Sequence, residues 1–179
     1  DKRVLGCAWN KTYGGYFSDR ENIEMFVDAV LPLLPDRELD ILYVASASGL
    51  LGEALVKSLG RGTLTIVDMS QEHLDQNTNP STEKICADLL TLDLSKKFDV
   101  ILMRSALDYF PTRESQVAVL KNIKKHLAVG GLFVNQPAFI SNPDDRDVVS
   151  RVYTETGKMG NRYFQSTDLE EIYKNAGFI

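Results

Sequence analysis

The chain has 179 residues, 44% of them hydrophobic, with 20 Lys and Arg against 25 Asp and Glu. That length suits one domain with a sizeable core, and that apolar content excludes a disordered chain. The net charge of -5 excludes broad binding to nucleic acid, which needs a basic face. Ser18-Asp19-Arg20-Glu21 reads as a capping box, and Ile23, Phe26, Val27, Val30 and Leu34 follow at helical spacing until Pro35. Ile41-Leu42-Tyr43-Val44-Ala45 is then an apolar run that fits a strand buried on both faces. A turn of small residues, Ser46-Ala47-Ser48-Gly49, leads into a helix over 51–59, which Gly60-Arg61-Gly62 breaks.

Leu64-Thr65-Ile66-Val67 predicts the second strand, ending at Asp68, and Ser70 is placed to cap a short helix through His73 and Leu74. Lys84-Ile85-Cys86-Ala87 predicts a weak third strand before Asp88, and 98–103 a fourth. Val117, Leu120, Ile123 and Leu127 mark a helix face that Gly130-Gly131 is expected to terminate, before a fifth strand, Leu132-Phe133-Val134. Thr167-Asp168-Leu169-Glu170 is a second capping box, opening a last helix through Ala176. Strands alternating with helices predict an α/β fold, a three-layer, doubly wound and mostly parallel sheet covered on both faces. Gly177-Phe178-Ile179 reads as the opening of another strand. An uncovered apolar fifth strand would be an aggregation template, so the terminal strands of the sheet are expected beyond residue 179.

Cys7 and Cys86 give no disulfide framework, and they sit far from His73 and His126 with no ligand spacing, so no metal site is expected. Both histidines read as structural. No apolar run approaches the roughly 20 residues that span a bilayer, and Asp1 to Gly6 lacks the pattern of a signal peptide. The expectation is a cytoplasmic domain with no membrane partner.

Chemistry is expected beyond the carboxyl ends of the strands, where open parallel sheets bind ligands. The turn 45–49 lets a ligand approach the backbone, and the following helix start suits a carboxylate or phosphate. Asp68 lies about 20 residues further on, the spacing at which an acid accepts from ribose hydroxyls. Asp88 ends the third strand, where it can accept from an exocyclic amine. Arg104 and Ser105 end the fourth.

In this order, the motifs resemble those of the class I S-adenosylmethionine-dependent methyltransferases, over about Trp9 to Phe178. Ile41 to Gly52 followed by 62–70 is similar to the family's first two motifs, and Cys86-Ala87-Asp88 to its adenine-contacting segment. Residues 98–103, 120–133 and the closing Asn175-Ala176-Gly177-Phe178 match its later elements. The resemblance implies one Rossmann-like domain over 1–179. Its parts would be a lid and helix (1–35), a cofactor-binding core (36–140) and a substrate-side segment with the last helix (141–179). It implies S-adenosylmethionine as cofactor, held by Ala45, Ser46, Ala47, Ser48, Gly49, Asp68, Met69, Ala87, Asp88, Arg104 and Ser105. It further implies methyl transfer to a small-molecule acceptor.

Residues 103–110 resemble the segment in which small-molecule O-methyltransferases carry a catalytic His. Asp108 stands at that position and is the candidate base, provided burial raises its pKa. Tyr109 is a candidate for substrate, as are Tyr13 and Tyr16 in the aromatic, glycine-containing stretch 9–17, which the resemblance reads as a lid over the cofactor.

The sequence departs from the family in one motif. The family places an acid and then Gly-x-Gly-x-Gly at the end of the first strand, where this chain has Tyr43, Ala45, Ala47 and Gly49. Loss of the acid removes a partner for the methionine ammonium, and a methyl group opposes a positive φ. Two alternatives are therefore carried: a non-catalytic relative kept for binding, and an NAD(P)-dependent oxidoreductase. The second rests on Gly49 and Gly52, which are spaced as in the turn of short-chain dehydrogenases. That family's Tyr-x-x-x-Lys pair is absent.

Overall fold

A computed structural model of the chain describes residues 19–137 and 166–178. Five strands form one sheet: β1 (Asp40–Val44), β2 (Thr63–Asp68), β3 (Glu83–Cys86), β4 (Phe98–Arg104) and β5 (Leu127–Gln136). All pairings are parallel, in the order β3-β2-β1-β4-β5. Chain order therefore reverses between β1 and β4, which opens a crevice above their carboxyl ends.

Strand alternation sorts the apolar residues into two cores. Ile41 and Tyr43 of β1, with Val100 and Leu102 of β4, pack under α1 (Arg20–Val30) and α2 (Leu50–Leu59). Leu42 and Val44, with Ile101 and Met103, pack under a helix over Arg113–Lys124 and another over Ser166–Ala176. The single turn Gln71–Leu74 is α3, so these two helices are α4 and α5. Ile41, Leu42, Ile101 and Leu102 are completely buried, and truncating any of them to Ala costs about 2–5 kcal/mol.

Local signals explain most element ends. Ser70 caps α3 as expected, its side chain accepting from the His73 amide. Helix α1 starts after Asp19, which makes no side-chain cap bond; Ser18, the first residue of the expected capping box, lies outside the described residues. The capping box expected to open α5 at Thr167 is not where that helix starts, since α5 begins one residue earlier, at Ser166.

One sequence expectation is corrected at the glycine pair. Gly130-Gly131 does not end α4. That helix stops at Lys124 and starts at a capping box that pairs Thr112 with Ser115. The glycines lie inside β5, where the register against β4 jumps from Phe98↔Leu127 to Val100↔Leu132. Gly130 takes φ 75°, and a Cβ on Gly131 would come within 2.9 Å of the Asp99 carbonyl, so this irregular bend needs glycine. At the end of α5, Gly177 and Phe178 close the helix. Gly177 (φ 82°) donates to the Lys174 carbonyl and Phe178 to that of Tyr173, the paired bonds of a Schellman stop. The Phe178 ring stacks on Phe133 at 4.8 Å.

Candidate functional site

The carboxyl ends of β1 to β4 surround a cleft of about 260 Å³. The turn after β1 contributes Ala45 and Ala47, the end of β2 contributes Asp68 and Met69, and β3 leads to Ala87 and Asp88. Arg104, Ser105 and Tyr109 come from the end of β4 and the segment after it. These nine were singled out from sequence, and the fold brings them to one place.

The turn keeps its glycine-like shape although two of the family's three glycines are alanines here. Ala45 (φ 49°), Ala47 (φ 50°) and Gly49 (φ 79°) are all left-handed. The expected obstacle at Ala45 and Ala47 is thus overcome at a cost of roughly 1–2 kcal/mol per alanine. Ser105 (φ 46°) is the other non-glycine residue with positive φ among the described residues, and it too lines the cleft. Strain gathered in this way is typical of sites that position a ligand. At Gly49 an added Cβ would lie 2.9 Å from Ile66 Cγ2, so a side chain there would force its buried neighbours to shift.

Hydrogen bonds hold the strained turn. The Ser46 amide donates to the Val67 carbonyl at 3.1 Å, and the Ala47 amide to Asp68 Oδ2 at 2.9 Å. Asn77 donates to the Ser48 carbonyl and to Glu53 Oε1, both at 3.0 Å. Glu53, in the first turn of α2, also accepts from Asn79 and from Thr82. Burial works to raise the Glu53 pKa, but the bonds from Thr82, Asn77 and Asn79 together hold it below the usual range. Ser46, Ser48 and Gly49 do not line the cleft; they build the turn behind it.

Asp68 is buried and its carboxylate is oriented from two sides. Oδ2 takes the Ala47 amide, while Oδ1 takes the Ser70 amide at 2.9 Å and lies 3.4 Å from His73 Nδ1. A carboxylate offers about four acceptor positions, so the fixed group retains capacity for ligand hydroxyls. Asp88 is half-buried and makes a turn of its own, accepting from the Leu90 amide at 3.0 Å. That turn brings Leu89 and Leu90 to the cleft, which Ala106 and Phe110 also line. These flanking apolar side chains, with a carboxylate beside them, fit a planar base that carries an amine.

Sequence reasoning missed several lining residues: Ser70, His73, Leu89, Leu90, Ala106 and Phe110. His73 was read as structural. Its i+5 position from Asp68, on a helix capped at Ser70, was the available signal. His126 is buried away from the cleft, its Nε2 3.2 Å from the Leu92 carbonyl.

Asp108 lies in a 3-10 turn, Leu107–Tyr109, directly before the lining residue Tyr109, but does not itself line the cleft. Its Oδ1 is buried without a hydrogen-bond partner. Burial pushes its pKa up to about 6, against a weaker opposing backbone hydrogen bond. Tyr13 and Tyr16 lie outside the described residues. Among those described, no cluster of three His, Cys, Asp or Glu could hold a metal ion. Nor is any helix long and apolar enough to cross a membrane.

Comparison with known proteins places these features in context. A family model described as a methyltransferase domain matches residues 42–133, just over half of the chain. No curated protein matches the sequence. Among solved structures, an S-adenosylmethionine-dependent methyltransferase from Clostridium acetobutylicum has a TM-score of 0.69 at 16% identity. That match covers 97% of this chain and 86% of the other. A sugar N-methyltransferase from a Streptoalloteichus species has a TM-score of 0.62 at 21% identity, covering 74% of this chain and 54% of its own. An amino pentose methyltransferase from Micromonospora echinaspora, solved with S-adenosylmethionine bound, has a TM-score of 0.61 at 20% identity, with 75% and 57% covered. The chain thus spans little more than half the length of these two sugar methyltransferases. Similarity at these identities establishes the fold.

Proposed function

The chain belongs to the class I S-adenosylmethionine-dependent methyltransferases, and from that premise we propose that its cleft binds S-adenosylmethionine and serves methyl transfer to a small-molecule acceptor. The observation that carries this reading is the row of strand ends. Asp88, Asp68, the left-handed alanines and Arg104 follow one another around a single cleft, in the order of the strands. Four adjacent strand ends span about 14 Å, room for a nucleoside with an amino-acid side chain laid across them.

Each residue then has a role. Asp88 accepts from the adenine amine, and Leu89, Leu90, Ala106 and Phe110 flank the base. Asp68, already oriented by the Ala47 and Ser70 amides, accepts from the ribose hydroxyls. The backbone at Ala45 and Ala47 lies along the chain that joins ribose to amino acid. The cofactor supplies an electrophilic methyl group, and the protein's part is to align an acceptor with it and exclude water. Tyr109 is placed to touch that acceptor. Asp108, the base candidate from sequence, stands directly before Tyr109 but outside the cleft lining, so no proton transfer is assigned to it.

The small-molecule reading draws support from the two sugar methyltransferases of similar fold, and the acidic net charge agrees with it. Tyr43, in place of an acid, favours a second reading: a relative that binds the cofactor without turnover. Calorimetric titration tests both. Micromolar binding of S-adenosylmethionine and S-adenosylhomocysteine is expected, with loss in Asp68→Ala and no binding of NAD or NADP. Methyl transfer across a panel of amino sugars and phenols is expected for the enzyme; cofactor binding without any turnover would leave the second reading. Absence of binding would remove both.

A further inference from the structure

We propose that Asn122 and Gln116 of α4 are positioning residues for the base end of the cleft, each holding one of the two chain segments that flank the ligand's base. The inference rests on the cofactor reading above and adds to it the helix that sets selectivity for the base.

Neither flanking segment is part of the sheet. Residues 87–97, between β3 and β4, form no helix or strand, and they bring Asp88, Leu89 and Leu90 to the cleft. The segment after β4 brings Ala106 and Phe110. A buried loop carbonyl with no ladder partner must find its donor elsewhere. Helix α4 supplies the donors. Asn122 Nδ2 donates to the Leu89 carbonyl at 2.9 Å and to the Leu92 carbonyl at 2.8 Å, while its Oδ1 accepts from Lys125 at 3.3 Å. Six residues earlier, Gln116 Nε2 donates to the Phe110 carbonyl at 3.0 Å.

Both carboxamides are buried, with Gln116 3% and Asn122 9% exposed, on a helix face whose other buried residues are Val119, Leu120 and Ile123. A side chain that only packed there would be apolar, because a buried amide costs stability unless its hydrogen bonds are made. Leu89 and Ala106 lie in the same core as that face, so each segment meets α4 through packing and through hydrogen bonds. Residues six apart stand about 9 Å apart along a helix, and one rigid rod thus fixes where the two segments lie relative to each other. Asn122 has the finer role. Its partner Leu89 follows Asp88, whose carboxylate takes the Leu90 amide and whose carbonyl takes the Thr91 amide at 3.1 Å. Clamping the Leu89 and Leu92 carbonyls therefore fixes the acid that meets the amine of the base. Gln116 fixes the Phe110 side, whose contact with the base is apolar.

The test compares two nucleosides by calorimetry: S-adenosylhomocysteine and S-inosylhomocysteine, which carries a carbonyl where the first has its amine. Wild-type protein is expected to bind the adenine compound at least about tenfold more tightly, the scale of one hydrogen bond to a charged group. In Asn122→Leu, similar in shape but without donors, that preference disappears. Gln116→Leu weakens both compounds alike and keeps the preference. A residue that only stabilised the fold would lower the melting temperature and leave the preference alone. Equal wild-type affinity for the two compounds overturns the proposal and needs no variant to fold. So does a preference that survives in folded Asn122→Leu, and so do wild-type affinities in Gln116→Leu, which decides alone if thermal melts show Asn122→Leu unfolded. Binding of neither compound by the wild-type protein instead removes the cofactor reading itself, which makes the two failures distinguishable.

Discussion

The two ends of the parallel sheet are built on opposite principles. At the amino ends of β1 and β4, charges pair in the open: Arg37 meets Asp99 at 2.8 Å, Lys96 meets Asp40 at 2.7 Å, and the Asp40 amide donates to Asp99 at 2.9 Å. Each of these charges has a partner, no non-glycine residue there takes a positive φ, and the groups are exposed or half-buried. At the carboxyl ends Asp68 and Arg104 are buried, Asp108 Oδ1 is buried without a partner, and Ala45, Ala47 and Ser105 are held left-handed. Interactions that are satisfied and screened add little to stability and leave no capacity for a ligand. Strain and incompletely used polar groups cost stability and are what a ligand can relieve. The difference between the ends separates a surface that tidies the fold from one prepared to bind.

The contrast can be broken most strongly at Asp68. Asp68→Ala is expected to weaken S-adenosylhomocysteine binding by at least about 100-fold, since two hydrogen bonds to a charged acceptor are lost. Asp99→Ala, the corresponding change at the other end, should leave that affinity untouched in the same titration.

Asp108 comes next. Its folded-state pKa, about 6, lies above the ordinary value of 3.8. Between those values the folded protein holds a proton that the unfolded chain has released, so stability falls as pH rises from about 4 to about 6. Asp108→Asn removes the penalty. Denaturant unfolding at pH 7 should show a gain of up to about 3 kcal/mol, shrinking towards zero near pH 4. A gain independent of pH would place the effect in packing instead.

Smaller effects sharpen the account of the turn. Gly49→Ala must fit a methyl group against Ile66 at positive φ and should cost about 2 kcal/mol or more. The reverse change, Ala47→Gly, relieves strain but adds freedom to the unfolded chain, for a net gain of about 0.5 kcal/mol. Thermal melts of both variants measure the asymmetry. The smallest effect belongs to the paired end. Partners hold the Asp99 and Asp40 carboxyls below their ordinary values: chiefly Arg37 for Asp99, and Lys96 then Thr63 for Asp40. Their contribution is present at neutral pH and is lost as pH falls below about 4. Asp99→Ala should therefore lower the melting temperature slightly at pH 7, with the difference fading in high salt.

Much of this molecule was legible before any fold was seen. Alternating apolar runs and helical spacings located the five strands and the helices now labelled α1 to α5, because burial on both faces of a parallel sheet writes itself into composition. Asp68, Asp88 and Arg104 were legible because strand ends in such a sheet converge by topology alone. The fate of Gly130-Gly131 was not, since a helix stop and a bend within a strand call for the same residue.

The sequence by itself determined the layers, the strand ends and the acids that stand there, since these follow from local periodicity and from the order of motifs. Only the tertiary structure decided that Ala45 and Ala47 keep the shape of glycines. Their φ angles are imposed by bonds to residues some 20 to 30 positions away, at Val67, Asp68 and Asn77. It alone also set Arg104 over Phe26, brought His73 to Asp68 and buried Asp108. A residue's strain, solvation and charge partners belong to its neighbours in space, and no local pattern along the chain encodes them.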